Sequence, residues 1–169
     1  MENKALVLMS KNYINRRLNI DYQEYNHWAD LSQDEIILVE KAFTAMKMAY
    51  APYSNFNVGA SVLLDDGSIV TGNNQENIAY PSGLCAERVA LFHVGSNFPN
   101  RKVKTVAIVA KGELVEKDKW LTPCGGCRQV MAETMKRQNE SFNIILVSQN
   151  DKVLVFNSIQ DLLPFIFGV

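Results

Sequence analysis

At 169 residues, 47% hydrophobic and 21% charged with a formal net charge of -1, the chain is long enough to bury one domain's core and too balanced in composition for intrinsic disorder. That charge speaks against a polyanion-binding surface and suits a small neutral or weakly charged ligand. Three cysteines, an odd number, and an N-terminal "MENKALVLMS" without a convincing cleavage region argue against a disulfide framework. No apolar run reaches the roughly 18 residues of a membrane span, so a cytoplasmic protein with no membrane partner is expected.

Residues 1–31 mix polar and aromatic side chains and are expected to form an N-terminal extension of unknown role, with residues 32–169 as a single domain. In "SQDEIILVEKAFTAMKMAY", Ser32 and Glu35 have capping-box spacing, and Ile36, Val39, Phe43, Met46 and Tyr50 recur at helical intervals. Pro52 should end that helix. "NVGASVLLDDGSIVTGNNQEN" reads as two strands around Asp65, Asp66 and Gly67. "CAERVALFHVGS" then predicts a helix, "KVKTVAIVAKG" a buried strand and "GGCRQVMAETMKRQ" a further helix, before the strands "FNIILVSQ" and "KVLVFN" and a short final helix. This order predicts an α/β fold, a single mixed β-sheet of about five strands covered by helices on its faces. Its strand-helix-strand crossovers should be right-handed and join parallel neighbours.

Cys124 and Cys127 stand one turn apart where "TPCGGC" opens a predicted helix, so both sulfurs can face one point while the helix dipole favours thiolate. A redox pair would leave Cys85 without a role, and buried cysteines acting as small hydrophobes are the plain alternative. Cys85 also begins a predicted helix, so two helix N-termini could aim three thiolates at one ion. Three protein ligands leave tetrahedral zinc one open position, whereas a closed structural site needs a fourth, for which His27 and His93 are the candidates. His93 lies eight residues beyond Cys85, about 12 Å along the same helix at 1.5 Å per residue, too far to join it. His27, beside Trp28, stays open as a ligand. At an open position zinc brings the pKa of a bound water to about 7. Glu87, two residues after Cys85, is then the candidate general acid and base.

"CAER" followed by "PCGGCRQV" resembles the zinc-dependent nucleoside and nucleobase deaminases, whose signature is His or Cys, one residue, Glu, then P-C-x-x-C. Within them the chain is similar to the cytidine deaminases of the small, cysteine-ligated, homotetrameric type, from "AYAPYSNFNVGAS" to "LLPFIF". The resemblance implies a cytidine-deaminase-like fold, one Zn2+ per subunit held by Cys85, Cys124 and Cys127, and Glu87 as the catalytic proton carrier. It implies hydrolysis of cytidine, and of 2'-deoxycytidine, to uridine or deoxyuridine and ammonia in pyrimidine salvage. In "NNQENIAY", Asn74 and Glu76 match the residues that hold the ribose hydroxyls. Phe56 matches the aromatic packed on the pyrimidine, and Ala86 the backbone amide that meets the base carbonyl. Tyr80 and Phe167 match groups that reach the site from a neighbouring subunit, which implies a homotetramer with shared sites. Arg88 matches an arginine that hydrogen-bonds the cysteine ligands; three thiolates and Zn2+ sum to -1, so a cation there offsets charge that would weaken the metal as a Lewis acid.

Three positions depart from the family pattern: Asn57 stands where a proline is usual, Asn73 where a cysteine is usual, and Gly126 where alanine is frequent. None removes a proposed catalytic group. Competing readings are a deaminase of another aminopyrimidine nucleoside, a polynucleotide-editing deaminase, which would need a cationic track, and a noncatalytic zinc-stabilised binding module closed by His27 or a neighbouring chain. The near-neutral charge favours a nucleoside over nucleic acid.

Overall fold

Ser32 and Glu35 start the first helix as their spacing predicts. In the computed structural model, which describes residues 13–168, the Ser32 N–H donates to Glu35 Oε2 at 3.0 Å and α1 spans Gln33–Met46. The helix stops before Pro52 can end it, and its buried stripe is Leu38, Val39 and Ala42. Ile36, Phe43 and Met46 flank that stripe, half-buried, while Tyr50 lies beyond the helix and is 53% exposed. The displacement from the expected face has a local cause in the strand beneath. A Cβ on Gly59 would lie 2.0 Å from the Ala42 carbonyl oxygen, so helix and strand touch backbone to backbone. A small residue must therefore centre the contact.

The strands are β1 (Gln23–Tyr25), β2 (Phe56–Leu64), β3 (Ile69–Asn73), β4 (Val103–Gly112), β5 (Asn143–Val147) and β6 (Val153–Phe156); α2 spans Ala86–Asn97 and α3 Gly125–Gln138. Among the described residues they form one mixed sheet in the order β1-β6-β5-β4-β2-β3. The pair β4 and β5 is parallel and every other neighbouring pair is antiparallel. The crossover through α3 joins parallel neighbours as expected. The crossover through α2 does not, because β2 lies between β3 and β4. A 3-10 turn at Ile159–Asp161 stands where the short final helix is expected.

The sixth strand comes from the segment least readable in sequence. Gln23 pairs with Val155 and Tyr25 with Val153, so β1 covers the edge that β6 would otherwise present. The Tyr22 ring packs on Phe156 with centroids 5.6 Å apart, and Trp28 packs on Phe43 of α1 at 5.9 Å.

Strand alternation divides the core between the two faces. Val106 and Ile108 of β4, Ile144 and Leu146 of β5 and Leu154 of β6 pack with Ala86, Ala90 and Leu91 of α2 and Met131 of α3. Ala107, Val109, Ile145, Val147 and Val153 face the other way, onto Leu38, Val39 and Ala42. Central strands buried on both faces read as continuous apolar runs, as "TVAIVA" does. Both β3 and β4 run antiparallel to β2 and hence parallel to each other. The segments leaving them emerge at one edge of the sheet, and the N-termini of α2 and α3 meet there. Among the described residues no helix is long and apolar enough to cross a membrane.

Candidate active site

Cys85 is the N-cap residue of α2 and Cys124 that of α3, with Cys127 in the first turn of the same helix. The converging helices bring the three Sγ atoms within 4.8 Å of one another, and the Cys124 and Cys127 sulfurs are 3.4 Å apart. Tetrahedral zinc with Zn–S bonds near 2.3 Å would space its sulfurs by about 3.8 Å. The trio therefore fits one zinc ion with only small adjustments of rotamer, and two helix N-termini face the thiolate charge. His27 does not join it. It is absent from the ligand group among the described residues, and its Nδ1 accepts from the Ala29 N–H at 3.0 Å as a local cap.

Without a metal, Cys85 and Cys127 shift in opposite directions. The hydrogen bond from Cys127 is the main force drawing the Cys85 thiol down to about 5, against the opposing effect of burial, with further help from Arg88. Cys127 is pushed upward by the same hydrogen bond and then by burial. Arg88 stands beside all three sulfurs, and its guanidinium also donates to the Gly83 carbonyl at 3.4 Å.

Glu87 is 4% exposed, and its Oε2 has no hydrogen-bond partner. Desolvation chiefly, with the Cys85 charge, raises its carboxyl above the usual range. A buried, proton-retaining carboxyl beside a metal-ligating cluster is suited to giving and taking protons.

Both groups open onto a cavity of about 750 Å³ lined also by Phe56, Asn74, Glu76 and Tyr80, with Val58, Ile108 and Val147 as apolar lining. One wall comes from the loop between β4 and α3, through Leu114, Val115 and Leu121. Gln149 pins that loop: its Oε1 accepts from the Gly112 N–H at 2.9 Å and its Nε2 donates to the Val115 carbonyl at 2.6 Å.

The expected substrate residues fall into two groups. Phe56, Asn74, Glu76 and Tyr80 share the cavity with Cys85, Glu87 and Arg88, and Ala86 lies between Cys85 and Glu87, fully buried. Asn74 also clamps β2: its Oδ1 accepts from the Val58 N–H at 2.8 Å and its Nδ2 donates to the Phe56 carbonyl at 2.9 Å. That leaves one donor hydrogen and one acceptor lone pair for a ligand. Glu76 Oε2 accepts from the Tyr53 N–H at 2.9 Å and Oε1 accepts from the Ser54 hydroxyl, which hold its carboxyl below the usual range, the Ser54 side chain foremost. Tyr80 borders its own chain's cavity, 76% exposed and edge-on to Tyr53 at 6.2 Å. Phe167 is not brought to the cavity; its side chain is 88% exposed and its carbonyl accepts from Gln129 Nε2 at 2.7 Å.

Ser54, Gln149 and Arg128 escaped the sequence reading. Ser54 lies inside the quoted "YSNF" and Arg128 directly follows Cys127, but the Glu76 partner of Ser54, the Gly112 and Val115 partners of Gln149 and the Leu162 partner of Arg128 lie far along the chain and leave no local pattern.

Residues 32–139 match the family model described as the cytidine and deoxycytidylate deaminase zinc-binding region. The chain is 45% identical over 100 residues to a cytidine deaminase of Halalkalibacterium halodurans, an alignment covering 59% of this chain and 71% of the relative. It is 34% identical over 140 residues to a probable cytidine deaminase of Dictyostelium discoideum, covering 82% and 87%. Among solved structures, cytidine deaminase from Burkholderia pseudomallei is 38% identical with a TM-score of 0.66, covering 78% of this chain and 97% of that one. With its three-cysteine cluster, buried glutamate and mixed sheet, the chain belongs to the zinc-dependent cytidine and deoxycytidylate deaminase family.

Proposed function

We propose that this enzyme adds water to cytidine, and to 2'-deoxycytidine, and releases ammonia to give uridine or deoxyuridine, acting in pyrimidine salvage in the cytoplasm. The observation that carries the reading is Glu87, buried with an unpartnered carboxylate oxygen in the same cavity as Cys85 and Cys124. Zinc held by Cys85, Cys124 and Cys127 supplies a Lewis acid that makes water reactive at neutral pH. Glu87 accepts one proton of the attacking water and passes it to the ring nitrogen as C4 becomes tetrahedral; it then takes the remaining proton from the new C4 hydroxyl and gives it to the amine, which leaves as ammonia as the C4–N bond breaks and the C4 carbonyl forms. Its raised carboxyl value favours holding that proton between transfers. Arg88 balances the sulfur charge, so that the cluster does not repel the electron density gathering on the ring.

Phe56 supports the pyrimidine face, and the Ala86 N–H donates to the base carbonyl. Asn74 and Glu76 bind the ribose hydroxyls with the hydrogen-bonding capacity left by their own loop contacts. A free base with no sugar hydroxyl to engage them leaves the remaining capacity of Asn74, which is buried, unmet, which is how such a site selects a nucleoside. Tyr80 and Phe167 complete the site of a neighbouring copy in a homotetramer, and the exposure of Ile78, Tyr80 and Phe167 supports a partner surface there. Residues 32–169 form the catalytic domain, with residues 1–31 as an N-terminal addition to it. A net charge of -1 favours a nucleoside over a polynucleotide, which would need a cationic track.

Zinc-replete enzyme should convert cytidine and 2'-deoxycytidine with the ultraviolet change of uridine formation and one ammonia released per turnover. Light scattering on the same sample should report a tetramer. Failure of a correctly assembled, zinc-loaded sample to turn over either nucleoside would refute the substrate reading, and full activity in a monomer would refute the shared site.

A further inference from the structure

Arg128 follows the ligand Cys127 on α3, yet its side chain turns back toward the loop that delivers the other ligand of that helix. Nε donates to the Pro123 carbonyl at 2.8 Å, and one terminal nitrogen donates to the Thr122 hydroxyl at 2.9 Å. The other donates to the Leu162 carbonyl at 2.7 Å. All three guanidinium nitrogens are therefore engaged. Two of them hold the two residues immediately before Cys124, and the third holds Leu162, which follows the 3-10 turn Ile159–Asp161.

The Leu162 anchor is firm. Leu162 is buried, and it joins the core that includes Met131 and Ala132 of α3, with Leu163 and Ile166 packed beside it. Arg128 thus fixes the backbone before Cys124 against a buried part of the molecule, across a cavity mouth to which Thr122 and Pro123 contribute. Cys124 itself is exposed, so the backbone that carries it has the larger part in setting its direction. The rigid planar fork of arginine spreads its donors over three nitrogens; the three donors of a lysine sit on one nitrogen and do not reproduce that spread.

We propose that Arg128 is a positioning residue for the metal centre, locking the Thr122–Pro123 backbone to the C-terminal turn so that the Cys124 sulfur is held toward Cys85 and Cys127. This rests on zinc ligation by the three cysteines and is independent of which nucleoside is the substrate. Partners that orient metal ligands are worth about 10–100-fold in metal affinity.

The test is the zinc dissociation constant of full-length Arg128→Lys, measured by competition with a chromogenic chelator, beside urea unfolding of the zinc-free variant and wild type. The expected result is a dissociation constant raised about 10–100-fold with an unchanged zinc-free unfolding midpoint. A rise under about fivefold, well short of that range, overturns the proposal. So does a loss of zinc affinity accompanied by a lowered zinc-free midpoint, because Arg128 would then be a general brace of the fold. If the lysine variant does not fold, Thr122→Val, which removes one acceptor at nearly constant shape, decides by the same measurement. Weaker zinc binding at an unchanged zinc-free midpoint supports the proposal, and unaltered zinc binding overturns it.

Discussion

Gly72 of β3 lies directly under the first turns of α2, where a Cβ would come 2.6 Å from the Ala86 carbonyl oxygen and 2.6 Å from the Ala90 nitrogen. Both are backbone atoms, so no side-chain rotation can make room. In Gly72→Ala the helix must move until the contacts open from 2.6 Å to ordinary contact at 3.4 Å, an opening of about 0.8 Å. Overpacking of this kind costs about 1–3 kcal/mol. The same movement carries Cys85 and Glu87 away from Cys124 and Cys127, in a site whose geometry must hold within about 0.5 Å. Misplacement by about 1 Å costs on the order of 10²-fold in rate. The expected outcome is a lower urea midpoint, a zinc content below one per chain and a loss of roughly 10²-fold in kcat/KM. Gly125→Ala is the control, because a Cβ there meets nothing within 4 Å although it adjoins Cys124. Unfolding within about 0.5 kcal/mol of wild type and near-normal kcat/KM for Gly72→Ala would refute the close-approach argument.

Gly126→Ala should raise stability by about 0.5–1 kcal/mol, since the position is helical, nothing stands within 4 Å of the added Cβ, and alanine loses less backbone entropy than glycine; thermal unfolding reads this. Asn74→Ala removes the partners of the Val58 N–H and Phe56 carbonyl, so a loss of about 1–3 kcal/mol is expected in urea unfolding, with KM raised more than kcat is lowered. Glu140 pairs with Lys102 at 2.7 Å and with Lys104, and the Lys102 hydrogen bond is the main cause holding its carboxyl at about 2 rather than 4.5. A carboxylate depressed on folding stabilises above its unfolded value and loses that contribution as pH falls toward the folded one. The stability deficit of Glu140→Gln should accordingly be present at pH 7, narrow between 4.5 and 2, and shrink in high salt; a deficit independent of pH and salt contradicts the pairing.

The legible parts of this chain were those with local causes. The helix α3 spans the residues of "GGCRQVMAETMKRQ" because a polar, helix-forming run begins there just after Pro123, and the hairpin of β2 and β3 follows from "LDDG". Ser32 and Glu35 located the start of α1 for the same reason. Of the expected face of α1, Val39 is buried and Ile36, Phe43 and Met46 pack at its flank, but the centre lies at Leu38, Val39 and Ala42, because the close approach of Gly59 to Ala42 is a tertiary fact that periodicity does not carry. The strand β1 escaped because three residues, Gln23, Glu24 and Tyr25, have no useful alternation and pair with residues near the far end of the chain. At the site, cysteine spacing and the glutamate after Cys85 disclosed the metal centre, whereas the isolation of the Glu87 oxygen and the fork of Arg128 depend on what the whole fold brings near them. Asn73, where the family has cysteine, shows the same limit. Its Nδ2 donates to the Ala45 carbonyl at 3.1 Å and satisfies a carbonyl at the end of α1, a use invisible in the loop sequence.

The most direct test of the account is Glu87→Gln, assayed with cytidine while zinc is counted on the same preparation. The substitution keeps the size of the side chain and removes its ability to carry a proton. The account predicts zinc retained at one per chain and kcat reduced by about 10²–10⁴-fold, the range for a general acid-base group. A variant that keeps its zinc and turns over cytidine within about tenfold of wild type would contradict the assignment of proton transfer to Glu87.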